Sequence, residues 1–160
     1  MKFSRMTEHI DGLKYLTGKL ELSGSRPVRY LMQTPFCTNR QALEKGFDIL
    51  QAALDLVTDP ARLPDCMRLN HLFSQIHDIQ GTLQAVTDKS ILDEIELFEI
   101  KYFAFLCSDI SRLLNDMGFT HEPLYPLNEV KAILDPDGTG VVSFYIYNSY
   151  SQSLAAARDR

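Results

Sequence analysis

Apolar residues recur at helical spacing along most of the chain. Leu43, Phe47, Leu50, Leu54 and Val57 stand at i, i+4, i+7, i+11 and i+14. They mark one face of a helix of about 20 residues, with Thr38 as its N-cap and Pro60 just beyond its end. Residues 9–20 carry Ile10, Leu13, Leu16 and Leu20 at the same spacing, loosened by Gly12 and Gly18. After the break at Ser23-Gly24-Ser25, Pro27 suits a first helical turn, and Val28, Leu31 and Met32 supply its stripe. Thr34 precedes Pro35 and is therefore pushed out of the helical region, which ends that helix. Pro64 opens a segment bearing Met67, Leu69, Leu72, Phe73 and Ile76, and Asp78 caps a short helix with Ile79, Leu83 and Val86.

The strongest pattern runs from Ser90 to about Met117. Ser90 is placed as N-cap, and Asp93, Glu94 and Glu96 complement the positive end of the helix. From Tyr102 to Cys107 every residue is apolar, so the middle of this helix is expected to be covered by several neighbours. Gly118 serves as its stop. Leu127, Val130, Ile133 and Leu134 form a short amphipathic helix. Asp135-Pro136-Asp137-Gly138-Thr139-Gly140 is turn chemistry. Residues 141–147 have the β-branched and aromatic content of a strand, and Ser151 is placed to cap a last helix from Gln152. The expected fold is thus mainly α: a multi-helix bundle around a long central helix at about 90–117, with one short β-strand or hairpin near 141–147. One domain is expected over 1–160.

Composition narrows the class further. The chain has 160 residues, 45% of them hydrophobic and 23% charged, and a net charge of −5. That is the make-up of a soluble globular domain, and its acidity argues against a whole-surface nucleic-acid binder. Charge is uneven, however. Residues 1–30 hold six basic and three acidic side chains, whereas residues 31–100 hold five basic and eleven acidic. Arg26 and Arg29, in the basic end, are the candidate contacts for DNA or a partner, against the plainer reading of solvated surface. No apolar run approaches the roughly 20 residues that span a membrane. Cys37, Cys66 and Cys107 are too far apart for a Cys-x-x-Cys motif, which fits reduced thiols and a cytoplasmic setting.

Candidate chemistry is sparse. Asp135, Asp137, Thr139 and Gly140 occupy positions 1, 3, 5 and 6 of a calcium-type loop, but position 12 is Ile146 where a bidentate Glu is needed, so a structural turn is the better reading. Asp93, Glu94, Glu96 and Glu99 could hold a metal, yet acidic residues are favoured in a first helical turn on other grounds. His71 and His77 do not share a helical face, and Cys107 reads as a small core residue. The aromatics Phe144, Tyr145, Tyr147 and Tyr150 lack interleaved Lys or Arg, so they suit packing better than base stacking. No Walker A, Gly-x-Ser-x-Gly or Gly-x-Gly-x-x-Gly pattern occurs.

The order of motifs adds one thing more. Thr34-Pro35-Phe36-x-Thr38 precedes a helix with Leu43-Glu44; Leu72-Phe73-Ser74-Gln75-Ile76-His77-Asp78-Ile79 follows. Then come Leu92-x-x-x-Glu96-Leu97-x-Glu99-x-Lys101, Leu134-Asp135-x-x-Gly138 and Ser151-x-x-Leu154-Ala155-x-x-Arg158. Over roughly residues 11–160 this resembles the helical core, or lever, region of the MutS-like mismatch-repair ATPases. The resemblance implies a non-catalytic domain excised from the N-terminal part of a larger protein. That parent would bind DNA, hydrolyse ATP with Mg²⁺ and act as a dimer. This piece holds no cofactor and would contact the parent's ATPase domain and clamp, coupling the two. The family's Phe-x-Glu mismatch wedge is absent, and residues 144–150 are more aromatic than the family's linker. The alternative reading is a stand-alone helical adaptor that binds a protein partner through Asp93–Glu99 or through the aromatic strand. A metal-dependent enzyme using Asp93, Glu96 and Glu99 comes third.

Overall fold

A computed structural model describes residues 2–20, 22, 25–121, 124–143 and 145–159, with Ser25 and Arg26 described by their backbone alone. The chain is mainly helical and divides into two compact units, residues 1–74 and 75–160.

The first unit holds α1 (Phe3–His9), α2 (Asp11–Lys19), α3 (Ser25–Gln33), α4 (Arg40–Thr58), a 3₁₀ turn (Pro60–Arg62) and α5 (Leu63–Ser74). α1 packs on α2 and α3, and α4 packs on α5. The helix expected over 9–20 is α2, set off from α1 by the extended residue Ile10. The loop at Ser23-Gly24 lies outside the described residues. α4 starts one residue later than expected. Asn39, not Thr38, is its cap, with Oδ1 accepting from the Ala42 N–H at 3.1 Å. The apolar face of α4 forms on schedule but is not covered: Phe47, Leu50 and Val57 are each 64–66% exposed. Among the described residues, none in this unit is fully buried.

The second unit holds α6 (Gln80–Thr87), α7 (Glu94–Asp116), α8 (Asn128–Leu134), a 3₁₀ turn (Asn148–Tyr150) and α9 (Gln152–Arg158). Among the described residues, all the buried hydrophobic side chains lie here, including Ile79, Ala104, Leu106, Cys107, Ile110, Leu113, Met117 and Leu134. Most sit on α7, against which α6 and α8 pack. Of the apolar run, Ala104, Leu106 and Cys107 are buried, while Tyr102, Phe103 and Phe105 are half-buried. Gly118 ends the helix as expected, at φ +77°, a backbone region that glycine enters without strain.

Two expectations are corrected here. Ser90 does not cap α7. Its N–H closes the turn after α6 by donating to the Ala85 carbonyl at 2.9 Å. The cap is Asp93, whose Oδ1 accepts from the N–H groups of Ile95 and Glu96 at 2.9 and 2.8 Å, while Glu96 Oε2 accepts from the Asp93 N–H at 2.9 Å. This reciprocal box satisfies three otherwise orphaned donors. The β-strand or hairpin expected at 141–147 is also not present among the described residues of that stretch. Among the described residues, no neighbouring strand offers a ladder; instead, side-chain cations take two of its carbonyls. The Ser143 oxygen accepts from Lys101 Nζ at 3.2 Å and the Ile146 oxygen from Arg158 Nη1 at 2.8 Å. Strand propensity describes a residue's fit to a pleated surface, so without a partner it decides nothing.

Candidate functional site

Among the described residues, the most concentrated chemistry is a buried polar knot in the second unit. Lys101 sits in α7 with no exposed surface, an unusual position for lysine. Its Nζ donates to the Tyr147 hydroxyl at 3.1 Å and to the Ser143 carbonyl, and lies 3.8 Å from Asp135 Oδ1. Its ammonium also rests 5.2 Å from the centre of the Tyr147 ring. A buried charge left single would cost several kcal/mol, about as much as a buried pair loses when one partner is removed. Here every charge is paired and hydrogen-bonded.

Asp135 follows α8 and organises the turn after it. Oδ1 accepts from the Tyr147 hydroxyl at 2.6 Å, the Thr139 hydroxyl at 2.7 Å and the Thr139 N–H at 3.2 Å. Oδ2 accepts from the Gly140 N–H at 2.8 Å. Gly140 reaches that position at φ +68°. Each hydroxyl has one proton, and both protons point at the carboxylate, so the 3.0 Å approach of Thr139 Oγ1 to the Tyr147 oxygen needs no third proton. Burial alone would push the Asp135 carboxyl up. The bonds from Tyr147 and Thr139, then those from the Gly140 and Thr139 backbone, outweigh burial and hold it well below the usual carboxylate range.

A third element closes on the same segment. Arg158, in α9, donates through Nη1 to the Ile146 carbonyl and Asn148 Oδ1 at 2.8 Å each, and to the Tyr145 hydroxyl at 3.1 Å. Its guanidinium lies 5.2 Å from the Tyr145 ring centre. The knot is therefore closed upon itself: its donors and acceptors are matched to one another. Among the described residues, no buried side-chain nitrogen or oxygen lacks a partner.

The residues singled out from the sequence fall differently. The Asp135-to-Gly140 turn is held by Asp135 itself, and Asp137 accepts instead from the Ser149 hydroxyl at 3.3 Å. Asp93 and Glu96 form the capping box of α7, and Glu99 accepts from the Thr82 hydroxyl at 2.7 Å, so each of these carboxylates has a place in helix structure. No group of three metal-ligating side chains occurs among the described residues. His71 and His77 are exposed, and Cys107 is buried, where burial pushes its thiol up. Arg29 is exposed on α3; the side chain of Arg26 lies outside the described residues. Beside the acidic start of α7, an open groove of about 470 Å³ is lined by Ile95, Phe98, Glu99, Tyr102 and His77. Phe98 and Tyr102 stack at 5.9 Å in its wall.

The sequence places Lys101 only within a family motif and Tyr147 only among packing aromatics, and gives no sign that the two meet. One signal existed: Lys101 stands between Ile100 and an unbroken apolar run, where a solvated lysine is out of place. Comparisons with family models, with curated proteins and with solved structures found no match to this chain.

Proposed function

We propose that this chain is a non-catalytic helical core region of a MutS-like DNA-binding ATPase, conveying movement between the nucleotide-binding and DNA-binding parts of its parent. One observation carries the reading. Two of the segments behind the family resemblance meet through their motif residues, Lys101 and Asp135 forming the buried pair, and a third, through Arg158, holds the Tyr145–Asn148 stretch that follows them. A motif lysine, aspartate and arginine used to fix helices, with no open site at their centre, is what a force-bearing module needs. In the parent, α7 would be the spine of the bundle. The uncovered face of α4 would pack against the remainder of the parent chain. ATP and Mg²⁺ would be held elsewhere in the parent, since no Gly-x-x-x-x-Gly-Lys-Ser/Thr loop occurs in these residues. DNA would likewise be bound through the parent, as a dimer in the cytoplasm, with Arg26 and Arg29 as this region's candidate contacts.

The deciding experiment is to read the coding sequence downstream of Arg160. A Walker A loop within the next several hundred codons is expected; an open reading frame of that length without one sinks the proposal.

A second reading, the helical protein-interaction adaptor, is favoured by the groove at Ile95, Phe98 and Tyr102 beside the acidic turn Asp93–Glu99. A stop codon after Arg160, together with loss of partner capture in the Phe98→Ala variant, is its expected outcome.

A further inference from the structure

We propose that residues 135–143 and 145–158 form a cooperative joint that fixes the direction of α9 to α7, with Tyr147 as its pivot. Lys101 and Arg158 make no contact in common, yet each grips the same short segment. At one end, the Tyr147 hydroxyl lies between Lys101 Nζ and Asp135 Oδ1. At the other, Arg158 holds the Tyr145 hydroxyl, the Ile146 carbonyl and the Asn148 side chain. The link between the ends is aromatic. The Tyr147 ring meets Tyr145 edge-on at 5.1 Å and 79°, and meets Tyr150 edge-on at 5.7 Å and 89°. Such pairs have strong angular preferences, so turning one ring disturbs the others. Tyr150 closes the 3₁₀ turn that packs on α9.

The two ends differ in strength. The Lys101 end is buried, and opening it would strand a charge. The Arg158 end is exposed, and its bonds compete with water. The joint therefore opens from the Arg158 side and frees α9 first. Opening there removes the Tyr145 edge from Tyr147, loosening the hold on Lys101 and Asp135 in turn. Such reciprocity between two sites is a coupling free energy, measurable as non-additivity. This inference depends on side-chain geometry within the second unit, and holds or fails independently of the family resemblance.

The test is a set of mutant cycles on the whole 160-residue chain, read as the equilibrium constant for urea unfolding. Lys101→Met keeps the stem and removes the charge; Arg158→Ala removes the outer grip. The effects of the two substitutions are expected to differ from their product by threefold or more. In a Tyr147→Phe background, which removes only the hydroxyl, the same pair is expected to become multiplicative to within 1.5-fold. Multiplicative effects with Tyr147 intact would overturn the joint, as would coupling that persists undiminished without the hydroxyl. Should Lys101→Met fail to fold, Thr139→Val takes its place in the cycle, since the Thr139 hydroxyl donates to the same carboxylate oxygen as the Tyr147 hydroxyl.

Discussion

At the scale of single residues, the second unit is built around charges taken out of water. Asp135→Ala would leave Lys101 buried without its counter-ion, and the expected loss is ~3–5 kcal/mol in urea unfolding. Lys101→Met is expected to cost less, because the Asp135 carboxylate keeps its hydroxyl and backbone donors. The pH dependence follows from the direction of the shift. In the unfolded chain this carboxyl titrates near its ordinary value of about 3.9. In the folded chain it titrates lower. Its contribution is therefore fully present above the unfolded value and is lost as pH falls through the folded one. The stability difference between the wild-type chain and Asp135→Asn should be flat above about pH 5 and shrink below about pH 4. A difference that grows on acidification would refute the assignment. Cysteine reactivity gives a separate check on burial. Cys37 is exposed, Cys66 half-buried and Cys107 buried with its thiol pushed up. A thiol reagent such as dithionitrobenzoate should label them in that order, Cys107 only on unfolding.

At the scale of elements, helix ends are decided by individual hydrogen bonds that a pattern of apolar residues does not encode. The apolar pattern of α7 is plain in the sequence, and its stop at Gly118 is equally plain. Its start is less so, because Ser90 and Asp93 are both good caps, and Asp93 wins because residues 90–93 are not helical, which puts the first free N–H groups of α7, those of Ile95 and Glu96, beside its carboxylate. Asp93→Ala should cost about 1 kcal/mol of stability, while Ser90→Ala should stay within about 0.5 kcal/mol of wild type. Equal losses would restore Ser90 as the cap. The same limit explains the missing strand. Val141, Val142, Tyr145 and Tyr147 have strand composition, but Lys101 and Arg158, reaching from two different helices, hold the stretch through Ser143, Tyr145, Ile146 and Tyr147. The sequence shows Lys101 as part of a motif and as an anomaly beside an apolar run but not its bond, since its partner Tyr147 lies 46 residues further along and no local rule brings the two together. Turn chemistry fared better. The Asp-Pro-Asp-Gly-Thr-Gly turn is held by its first aspartate, a contact within five residues.

At the scale of the whole molecule, exposed apolar surface and charge govern different behaviours. The α4 stripe, from Leu43 to Val57, is exposed along its length, and substituting Phe47 by Glu there should change the stability of this chain by less than about 0.5 kcal/mol. Electrostatics set the behaviour toward DNA. Affinity for duplex DNA grows with the number of phosphates neutralised, and falls by orders of magnitude with salt when that number is six to ten. This chain carries 16 basic side chains against 21 acidic ones. Several of the basic ones are already engaged: Lys101 with Asp135, Arg40 with Glu44, Arg112 with Asp109, and Arg158 with the 145–148 backbone and side chains. The excess of positive charge in residues 1–30 supplies few contacts by comparison. Isolated residues 1–160 should therefore bind duplex DNA no more tightly than about 10 µM at physiological salt, in the weaker half of the non-specific range. In fluorescence anisotropy with a labelled duplex, lowering the salt should strengthen that binding, and Arg29→Ala should weaken what appears. Sub-micromolar binding at physiological salt would mean that this region grips DNA by itself, and would move it from a transmitting role to a DNA-contacting one.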